Sequence, residues 1–328
     1  MNIRRQSATF LRLFTILTAS VFCAGPTALA APITIDTVPV GNLGNTADTT
    51  GFGAVSWAYN IGTTEVTNAQ YAAFLNEKAK SDPLGLYNTS MGSGFGGITR
   101  SGSSGSYTFA AISGRGDMPV NYVSWYDSIR FANWLHNGQG SGDTETGAYT
   151  ILGGTATPSN GLSITRNPGA TWWLTSEDEW YKAAYHKNDG DTANYFEYPT
   201  GSDTAPTAEA PAGGSNSANY YNVVGDLTDA GAYVDSDSPY GTFDQGGNLW
   251  EWNESLFFGS YRGLRGGSFN DDAFTLFASL PLPIYNFPSN EDANVGFRVA
   301  TVPEPSSLAL AGMGILGGLL LMRRRWGW

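Results

Sequence analysis

Two acidic side chains close to two tryptophans mark the stretch of this sequence most suited to chemistry. The fourteen residues from 241 to 254 read GTFDQGGNLWEWNE, so Asp244 and Glu251 lie on either side of a glycine pair and near Trp250 and Trp252. Two carboxylates flanking an open cleft can cleave glycosidic bonds. Carboxylate and backbone oxygens wrapped around one point bind a hard cation such as calcium instead. The stretch is therefore a candidate catalytic loop or a candidate ion site.

Few other side chains offer catalytic chemistry. The chain has one cysteine, Cys23, and two histidines, His136 and His186. Cys23 lies in an N-terminal segment that we expect to be removed, so the mature protein has no disulfide, thiolate nucleophile or cysteine metal site. Each histidine falls near the predicted end of a helix, where we expect its imidazole to meet the last carbonyls. Asp271 and Asp272 could bind a cation or act on a glycan, and an exposed turn explains them at least as well.

The elements that must position these residues are short. Capping patterns followed by apolar residues on one face predict three helices. They begin after the caps Thr67, Ser124 and Ser176, and extend to about Lys80, Asn137 and Lys187. Strands are predicted at Trp57–Ile61, Ala170–Leu174, Leu264–Ser268 and Gly296–Ala300. Linkers are predicted at 92–106 and 200–217 from their glycine, serine and threonine content, and 31–50 is predicted as an extended lead-in. The pattern indicates one irregular, aromatic-rich α+β domain at 51–301.

Both ends of the chain read as targeting segments. Residues 1–30 combine early arginines, an apolar run and a small-residue cleavage site, which is the pattern of a secretory signal peptide. Residues 302–328 contain Pro303, Glu304 and Pro305, then an uncharged apolar stretch, then an arginine cluster. The apolar stretch has the minimum length of a transmembrane helix, and the arginines would stay on the cytoplasmic side. A permanent single-span anchor is one interpretation of this tail.

The tail also resembles the PEP-CTERM sorting signal of Gram-negative bacteria. In that family an exosortase, which is a membrane cysteine transpeptidase, recognises the segment and removes it near the Pro-Glu-Pro triplet. The resemblance implies export across the inner membrane and transient membrane insertion through the C-terminal helix. It also implies release to the cell surface or the extracellular matrix.

The part of the chain between these ends is strongly acidic. Removing 1–30 and 303–328 takes away six of the 17 basic residues and one of the 29 acidic ones, which leaves 11 basic and 28 acidic residues and a net charge of −17. Such a surface repels nucleic acid and anionic membranes. We therefore expect no nucleic-acid partner, and the charge is compatible with extracellular calcium.

A series of short motifs runs through the body of the chain. They are GTTEVTNAQY at 62–71, MPVNYVSW at 118–125, LTSEDEW at 174–180, GGNLWEW at 246–252, RGGSF at 265–269 and VGFRVA at 295–300. In this order they resemble the formylglycine-generating enzyme family, also called sulfatase-modifying factors. The resemblance covers nearly all of residues 50–300. It implies the formylglycine-generating-enzyme variant of the C-type lectin fold, with little regular secondary structure.

The resemblance also sets an expectation about catalysis. Active members hold copper with two cysteine thiolates between the Gly-Gly-Ser-aromatic motif and the final Gly-Phe-Arg, and oxidise a substrate cysteine. Here that segment, 270–281, contains no cysteine, and an arginine that the family usually carries is replaced near Leu280 and Pro281. A second branch of the family holds iron with three histidines, and this chain has two. We therefore expect no copper and no catalytic residues, because copper(I) prefers sulfur ligands.

With copper and the three-histidine iron site excluded, calcium is the metal ion that the resemblance still implies. In the family one site uses the side chain that opens the Gly-Asn-x-Trp-Glu-Trp segment, two backbone carbonyls within it and the glutamate between the tryptophans. Carried over position by position, these ligands are the side chain of Asp244, the carbonyls of Gly247 and Leu249, and the side chain of Glu251. The alternative is a salt bridge, in which Arg265 or Arg298 neutralises the two acids.

A second calcium site of the family begins at an Ala-Asn pair, which corresponds to residues 218–219. The resemblance assigns to it Asn219, the carbonyl of Tyr220 and an aspartate downstream. Asp226 is the predicted aspartate, and the nearby Asp229 is an alternative.

These observations predict an exported, calcium-stabilised, non-catalytic, lectin-like protein of the cell surface or extracellular matrix. We expect it to be sorted by an exosortase and to bind an extracellular polysaccharide or a surface protein, with exposed aromatic residues stacking on sugars. The alternative is an enzyme of the formylglycine-generating family with divergent chemistry, such as sulfatase modification or another oxidation.

Overall fold

The computed structural model describes residues 32–280 and 284–303. The predicted signal peptide, Pro281, the rest of the sorting motif at Glu304 and Pro305, and the C-terminal apolar stretch lie outside the described residues. Within the described ranges, no helix has the length and apolar character needed to cross a membrane.

Twelve short strands and three α-helices, with three short 3₁₀ helices in the loops, make up the described regular structure. In chain order they are β1 Thr37–Val40, β2 Tyr59–Gly62, α1 Asn68–Lys78, β3 Ile98–Ser101, β4 Thr108–Ala111, α2 Trp125–His136, β5 Trp172–Leu174, α3 Glu177–Tyr185, β6 Thr207–Ala208, β7 Ser217–Ala218, β8 Trp250–Phe257, β9 Tyr261–Arg265, β10 Ile284–Asn286, β11 Val295–Gly296 and β12 Val299–Thr301. Long loops connect them, as the glycine content predicts.

Two four-stranded sheets organise the domain. One has the order β1-β2-β12-β5 and joins the beginning of the domain to its end, because β12 pairs with β2. The other has the order β10-β9-β8-β11, in which β11 runs parallel to β8. Strand β1 comes from the predicted lead-in, so this part of the lead-in is a strand of the first sheet.

The three predicted helices are confirmed, together with their caps. The side chains of Thr67, Ser124 and Ser176 each accept a hydrogen bond from the third helical residue, whose own side chain accepts one back from the cap. All three helices end one or two residues before the predicted positions. In α3 the reason is that His186 has an extended backbone and pairs with Tyr195 in an isolated bridge.

Several strand and linker boundaries differ from the sequence prediction. The strand predicted at 264–268 ends at Arg265, because Gly266 and Gly267 have φ values of +100° and +73° and turn the chain. The strand predicted at 296–300 is two strands in different sheets, β11 and β12. The predicted linkers are also partly wrong, since 92–106 contains β3 and 200–217 contains β6 and the start of β7. Such short pairs carry too little apolar periodicity to be recognised in sequence.

Aromatic side chains form much of the core, as the composition suggests. Tyr71 and Phe74 of α1 contact Phe131 of α2, which also contacts Trp134 and Phe297, at ring-centroid distances between 5.4 and 6.0 Å. These five rings are buried. They connect two helices to the motif at 295–300, which leads directly into the site described next.

Candidate functional site

The stretch 241–254 enters β8 and buries both of its tryptophans. Trp252 donates its indole N–H to the carbonyl of Val123 at 3.0 Å, and Trp250 donates to a carboxylate oxygen of Asp271 at 2.8 Å. The tryptophans therefore hold the strand in the core. Glu251, which lies between them, is itself fully buried.

Glu251 forms a closed ion pair with Arg298. The guanidinium donates to both carboxylate oxygens at 2.6 Å, and Trp180 donates its indole N–H to Oε2 at 2.8 Å. Both side chains of this pair are fully buried. Arg265 instead donates to Glu177 at 2.5 Å. Of the two arginines considered above, Arg298 is the one that neutralises Glu251.

A second and a third carboxylate lie beside this pair. Asp244 has a left-handed backbone with φ of 58° and accepts a hydrogen bond from the Gly231 N–H at 2.6 Å. Burial raises the pKa of Asp244 to about 6, and the nearby charge of Glu251 acts in the same direction. Glu65 is 1 % exposed, and its Oε2 has no hydrogen-bond partner within the described chain. Burial, followed by the charge of Asp244, raises the pKa of Glu65 well above its ordinary value.

The cluster therefore carries more negative than positive charge. With all groups ionised, Glu65, Asp244 and Glu251 contribute three negative charges against the single positive charge of Arg298. Sequence reasoning missed Glu65, although it lies in the quoted motif at 62–71. Only the fold brings it to Asp244, because the Phe243 N–H donates to the carbonyl of Thr63 at 2.8 Å, so that the segments containing Asp244 and Glu65 lie side by side.

The structure brings the two predicted calcium sets together through backbone contacts. Gly247 has φ of +88°, and a Cβ at this position would lie 2.3 Å from the carbonyl oxygen of Asn219. The N–H of Asn248 donates to the same carbonyl at 2.8 Å. Gly247 and Leu249, whose carbonyls were assigned to the first set, are buried here. The glycine is needed for this close approach of two chain segments.

The negative charge of the first predicted calcium set suits a cation, but its glutamate, Glu251, already has hydrogen-bond partners without one. Two buried carboxylates, Glu65 and Glu251, and the partly buried Asp244 beside one guanidinium favour neutralisation, by protons or by a divalent ion. Both oxygens of Glu251, however, already accept hydrogen bonds. In the described residues, no three His, Cys, Asp or Glu side chains are grouped so that they could hold a metal ion. Any calcium here would therefore depend on backbone carbonyls as well as on Asp244.

The second set is brought together only in part. Asn219 is buried, donates to the backbone carbonyl of Asp226 at 2.9 Å, and keeps an Oδ1 that has no partner in the described residues. That oxygen fits a cation ligand. The carboxylate of Asp226 instead accepts two hydrogen bonds from Arg115, at 2.8 and 2.9 Å. The side chain of Tyr220 donates to the carbonyl of Pro206 at 2.6 Å.

The two histidines do not meet the ends of their own helices, so that expectation is wrong. Nδ1 of His136 accepts from the Thr171 N–H at 3.0 Å. His186 is buried, with Nδ1 3.0 Å from the hydroxyl of Tyr240 and Nε2 3.2 Å from the carbonyl of Thr192. Both rings connect separate segments of the chain. Burial lowers the pKa of His186, which keeps its ring neutral.

The segment that would carry the copper cysteines lines an open groove. It runs from Asn270 through a short 3₁₀ helix at Ala273–Leu276. Two adjoining cavities of about 490 and 440 Å³ share Asn270, and we call them together the groove. The first is lined by Phe95, Asn222, Phe269, Asn270, Asp292, Ala293 and Asn294, and the second by Tyr221, Asn270, Asp271, Asp272, Phe274 and Thr275.

One rim of the groove is held in an unusual backbone conformation. Tyr221 and Asn222 have φ values of 59° and 55°, which few non-glycine residues adopt. Their N–H groups donate to the carbonyls of Asp271 and Phe269 at 2.6 and 2.7 Å. These bonds lock the rim to the segment at 269–271. Tyr221 is 67 % exposed and lines the same cavity as Phe274, which is 50 % exposed.

Comparisons with solved structures identify proteins of similar fold. Two solved structures have similar folds. "Crystal Structure of CarF" matches at 22% identity and a TM-score of 0.53, covering 83% of this chain and 99% of that one. "Treponema denticola variable protein 1" matches at 19% identity and a TM-score of 0.51, covering 81% and 95%. The fold is thus an irregular α+β domain, the formylglycine-generating-enzyme variant of the C-type lectin fold. No curated protein gives a match to the chain.

The family follows from a match over most of the chain. Residues 38–302 match the sulfatase-modifying factor enzyme 1-like domain, and the chain belongs to this family. Residues 301–325 match the PEP-CTERM protein-sorting motif. The motif indicates export and surface sorting in a Gram-negative bacterium, with processing by an exosortase. Both resemblances found in the sequence are therefore confirmed.

Proposed function

We propose that the protein is a non-catalytic binding protein of the bacterial surface or extracellular matrix, and that the groove binds a glycan. The observation that supports the proposal is the set of side chains that line the groove. At the place where active members of the family carry their cysteines, this chain has Asn270, Asp271 and Asp272 between exposed aromatic rings. The sorting motif delivers the domain to a location where polysaccharide is available.

The lining of the groove suits a sugar. Tyr221 and Phe274 expose ring faces on which the C–H groups of a pyranose can stack. The amides of Asn222, Asn270 and Asn294 can donate to and accept from hydroxyl groups. Each cavity has the volume of a small-molecule site, for which about 300 to 1,000 Å³ is typical.

The carboxylates of the groove are positioned as fixed acceptors. Oδ2 of Asp271 accepts from the Trp250 indole and from the Ser268 hydroxyl, and Oδ1 of Asp272 accepts from the Phe274 N–H at 3.0 Å. Hydrogen bonds thus hold both side chains as acceptors for the hydroxyl groups of a bound sugar, which supports a binding role.

Calcium is part of the proposal as a stabilising ion. The support is that Glu65, Asp244 and Glu251, when ionised, exceed the charge of Arg298 by two negative charges, together with the Oδ1 of Asn219, which has no partner within the described residues. When bound, the ion would supply positive charge to the carbonyl-rich turn at 244–249. We expect 2 mM calcium to raise the melting temperature relative to a chelator, and Asp244→Asn to abolish the difference. An unchanged melting temperature in the native protein would remove calcium from the proposal.

Binding is tested by measuring the affinity of the purified protein for the producing organism's own exopolysaccharide. We expect binding that Tyr221→Ala and Phe274→Ala each weaken by about tenfold, since stacking contributes about 0.5 to 1.5 kcal/mol beyond the area buried. The matched control is Phe258→Ala, which removes a ring that is 76 % exposed outside the groove. If the control weakens binding as much as the groove variants, the groove is not the site.

The enzymatic alternative has its own assay. A cysteine-containing sulfatase peptide is incubated with the protein and copper, and formylglycine is measured. We expect no conversion, because the segment 270–281 has no thiolate to hold copper(I). Measurable conversion would favour an enzyme with divergent chemistry over a binding protein.

A further inference from the structure

All the charged side chains that line the groove are negative. Its lining includes the carboxylates Asp271, Asp272 and Asp292, and none of its lining residues is a lysine, arginine or histidine. The guanidinium of Arg115 contacts one lining residue from outside the groove, since it donates to the Phe95 carbonyl and makes two hydrogen bonds to Asp226. Its charge is therefore already neutralised by Asp226.

Each of the three carboxylates is anchored through one oxygen. Asp271 and Asp292 accept through Oδ2, the latter from the side-chain amide of Asn286 at 2.8 Å, and Asp272 accepts through Oδ1. Within the described chain, the other carboxylate oxygen of each of these three aspartates accepts no hydrogen bond. The anchoring fixes three acceptors in orientation before any ligand arrives, which lowers the entropy lost on binding.

A buried amide braces two lining residues of the groove. Asn121 is fully buried and donates its amide N–H groups to the carbonyls of Phe95 and Ala293, at 3.1 and 2.7 Å. Its Oδ1 has no partner within the described residues. The lining itself presents three carboxylates, the amides of Asn222, Asn270 and Asn294, and no cationic side chain. Its complement is a ligand rich in N–H donors and positive charge.

We propose that the ligand of the groove is a cationic amino sugar, that is, a hexosamine polysaccharide with unacetylated amines. This inference rests on the proposed glycan-binding function and names its ligand class. Ammonium groups of the ligand would donate charge-assisted hydrogen bonds to Asp272 and Asp292, while Tyr221 and Phe274 stack on the sugar rings. An acidic polysaccharide is rejected, because its carboxylates would face three fixed carboxylates at short range.

The test uses the purified protein and three oligosaccharides of equal length: oligoglucosamine, its fully N-acetylated counterpart and an oligouronate. Affinities are measured by calorimetry at a pH where the amine is protonated, at two salt concentrations. We expect oligoglucosamine to bind most tightly and to weaken as salt rises, since exposed charge pairs are screened. We expect the oligouronate not to bind.

Variants separate charge from stacking. Asp272→Asn and Asp292→Asn should each weaken oligoglucosamine about tenfold, the loss of one hydrogen bond to a charged group, and leave the N-acetylated oligomer unchanged. Asparagine still accepts the anchoring hydrogen bond, so both variants are expected to fold. Asp235→Asn, an exposed acid outside the groove, is the control for the same change in net charge.

The outcomes distinguish this inference from the function on which it rests. If the N-acetylated oligomer binds as tightly as oligoglucosamine and Asp272→Asn has no effect, glycan binding stands and the cationic class is wrong. If no oligosaccharide and no exopolysaccharide binds, the proposed function itself fails. If a short oligolysine binds and Tyr221→Ala leaves that binding unchanged, the groove recognises a cationic peptide and the amino-sugar inference is overturned.

Discussion

Replacing Arg298 by methionine is the most informative perturbation of the buried charge cluster. Arg298 is fully buried and donates to both oxygens of Glu251 and to the carbonyls of Gly62 and Phe243. Methionine has similar length and packs without charge, so the change removes the positive charge and the donors but little volume. Glu251 then remains buried beside Asp244 with no cation to neutralise it.

The magnitude follows from the burial of the pair. Removing one partner of a buried ion pair costs about 3 to 5 kcal/mol, because the remaining charge is uncompensated. For a domain of this size, each kcal/mol corresponds to a shift of about 2 to 4 °C in melting temperature. We therefore expect Arg298→Met to lower the melting temperature by about 6 to 20 °C. The double variant Glu251→Gln/Arg298→Met should recover about half of this loss, since glutamine removes the orphaned charge and can still pair with the Trp180 indole.

Thermal unfolding monitored by circular dichroism measures these shifts, with urea unfolding as the check on free energy. The matched control is Lys187→Met, which removes a surface ion pair with Asp203 at 3.3 Å and should cost less than about 1 kcal/mol. The reasoning is refuted if Arg298→Met is as stable as the native protein, or if the double variant is no more stable than the single one.

Three further predictions concern stability. Burial raises the carboxyl pKa of Asp127 to about 6 and that of Glu291 to about 7. The stabilisation from their protonation is therefore present at low pH and is lost as pH rises from about 4 to 7. Glu291→Gln should flatten the dependence of melting temperature on pH between pH 5 and 7.5. Gly247→Ala should destabilise by more than about 2 kcal/mol in urea unfolding, because its Cβ would lie 2.3 Å from the Asn219 carbonyl and φ is +88°. Ser176→Ala removes the cap of α3 and should lower the melting temperature by about 2 to 4 °C.

Local features of the fold could be predicted because local chemistry determines them. Each helix start depends on a cap and a residue three positions later, as at Ser124 and Asp127, and these contacts form within a single turn. The strands were harder, because β11 and β12 have two and three residues and owe their positions to partners far away in the chain. Periodicity over so few residues is too weak a signal.

The candidate site likewise combines features that the sequence determines with features that depend on the tertiary structure. The sequence by itself determined the family, the sorting signal and the absence of cysteine after residue 23, since these depend only on which residues are present and in what order. Only the tertiary structure decided that Glu251 pairs with Arg298 rather than with Arg265, and that Glu65 joins them. It alone formed the groove, because burial and hydrogen-bond partners depend on segments that are distant in the chain and meet only when the sheets close.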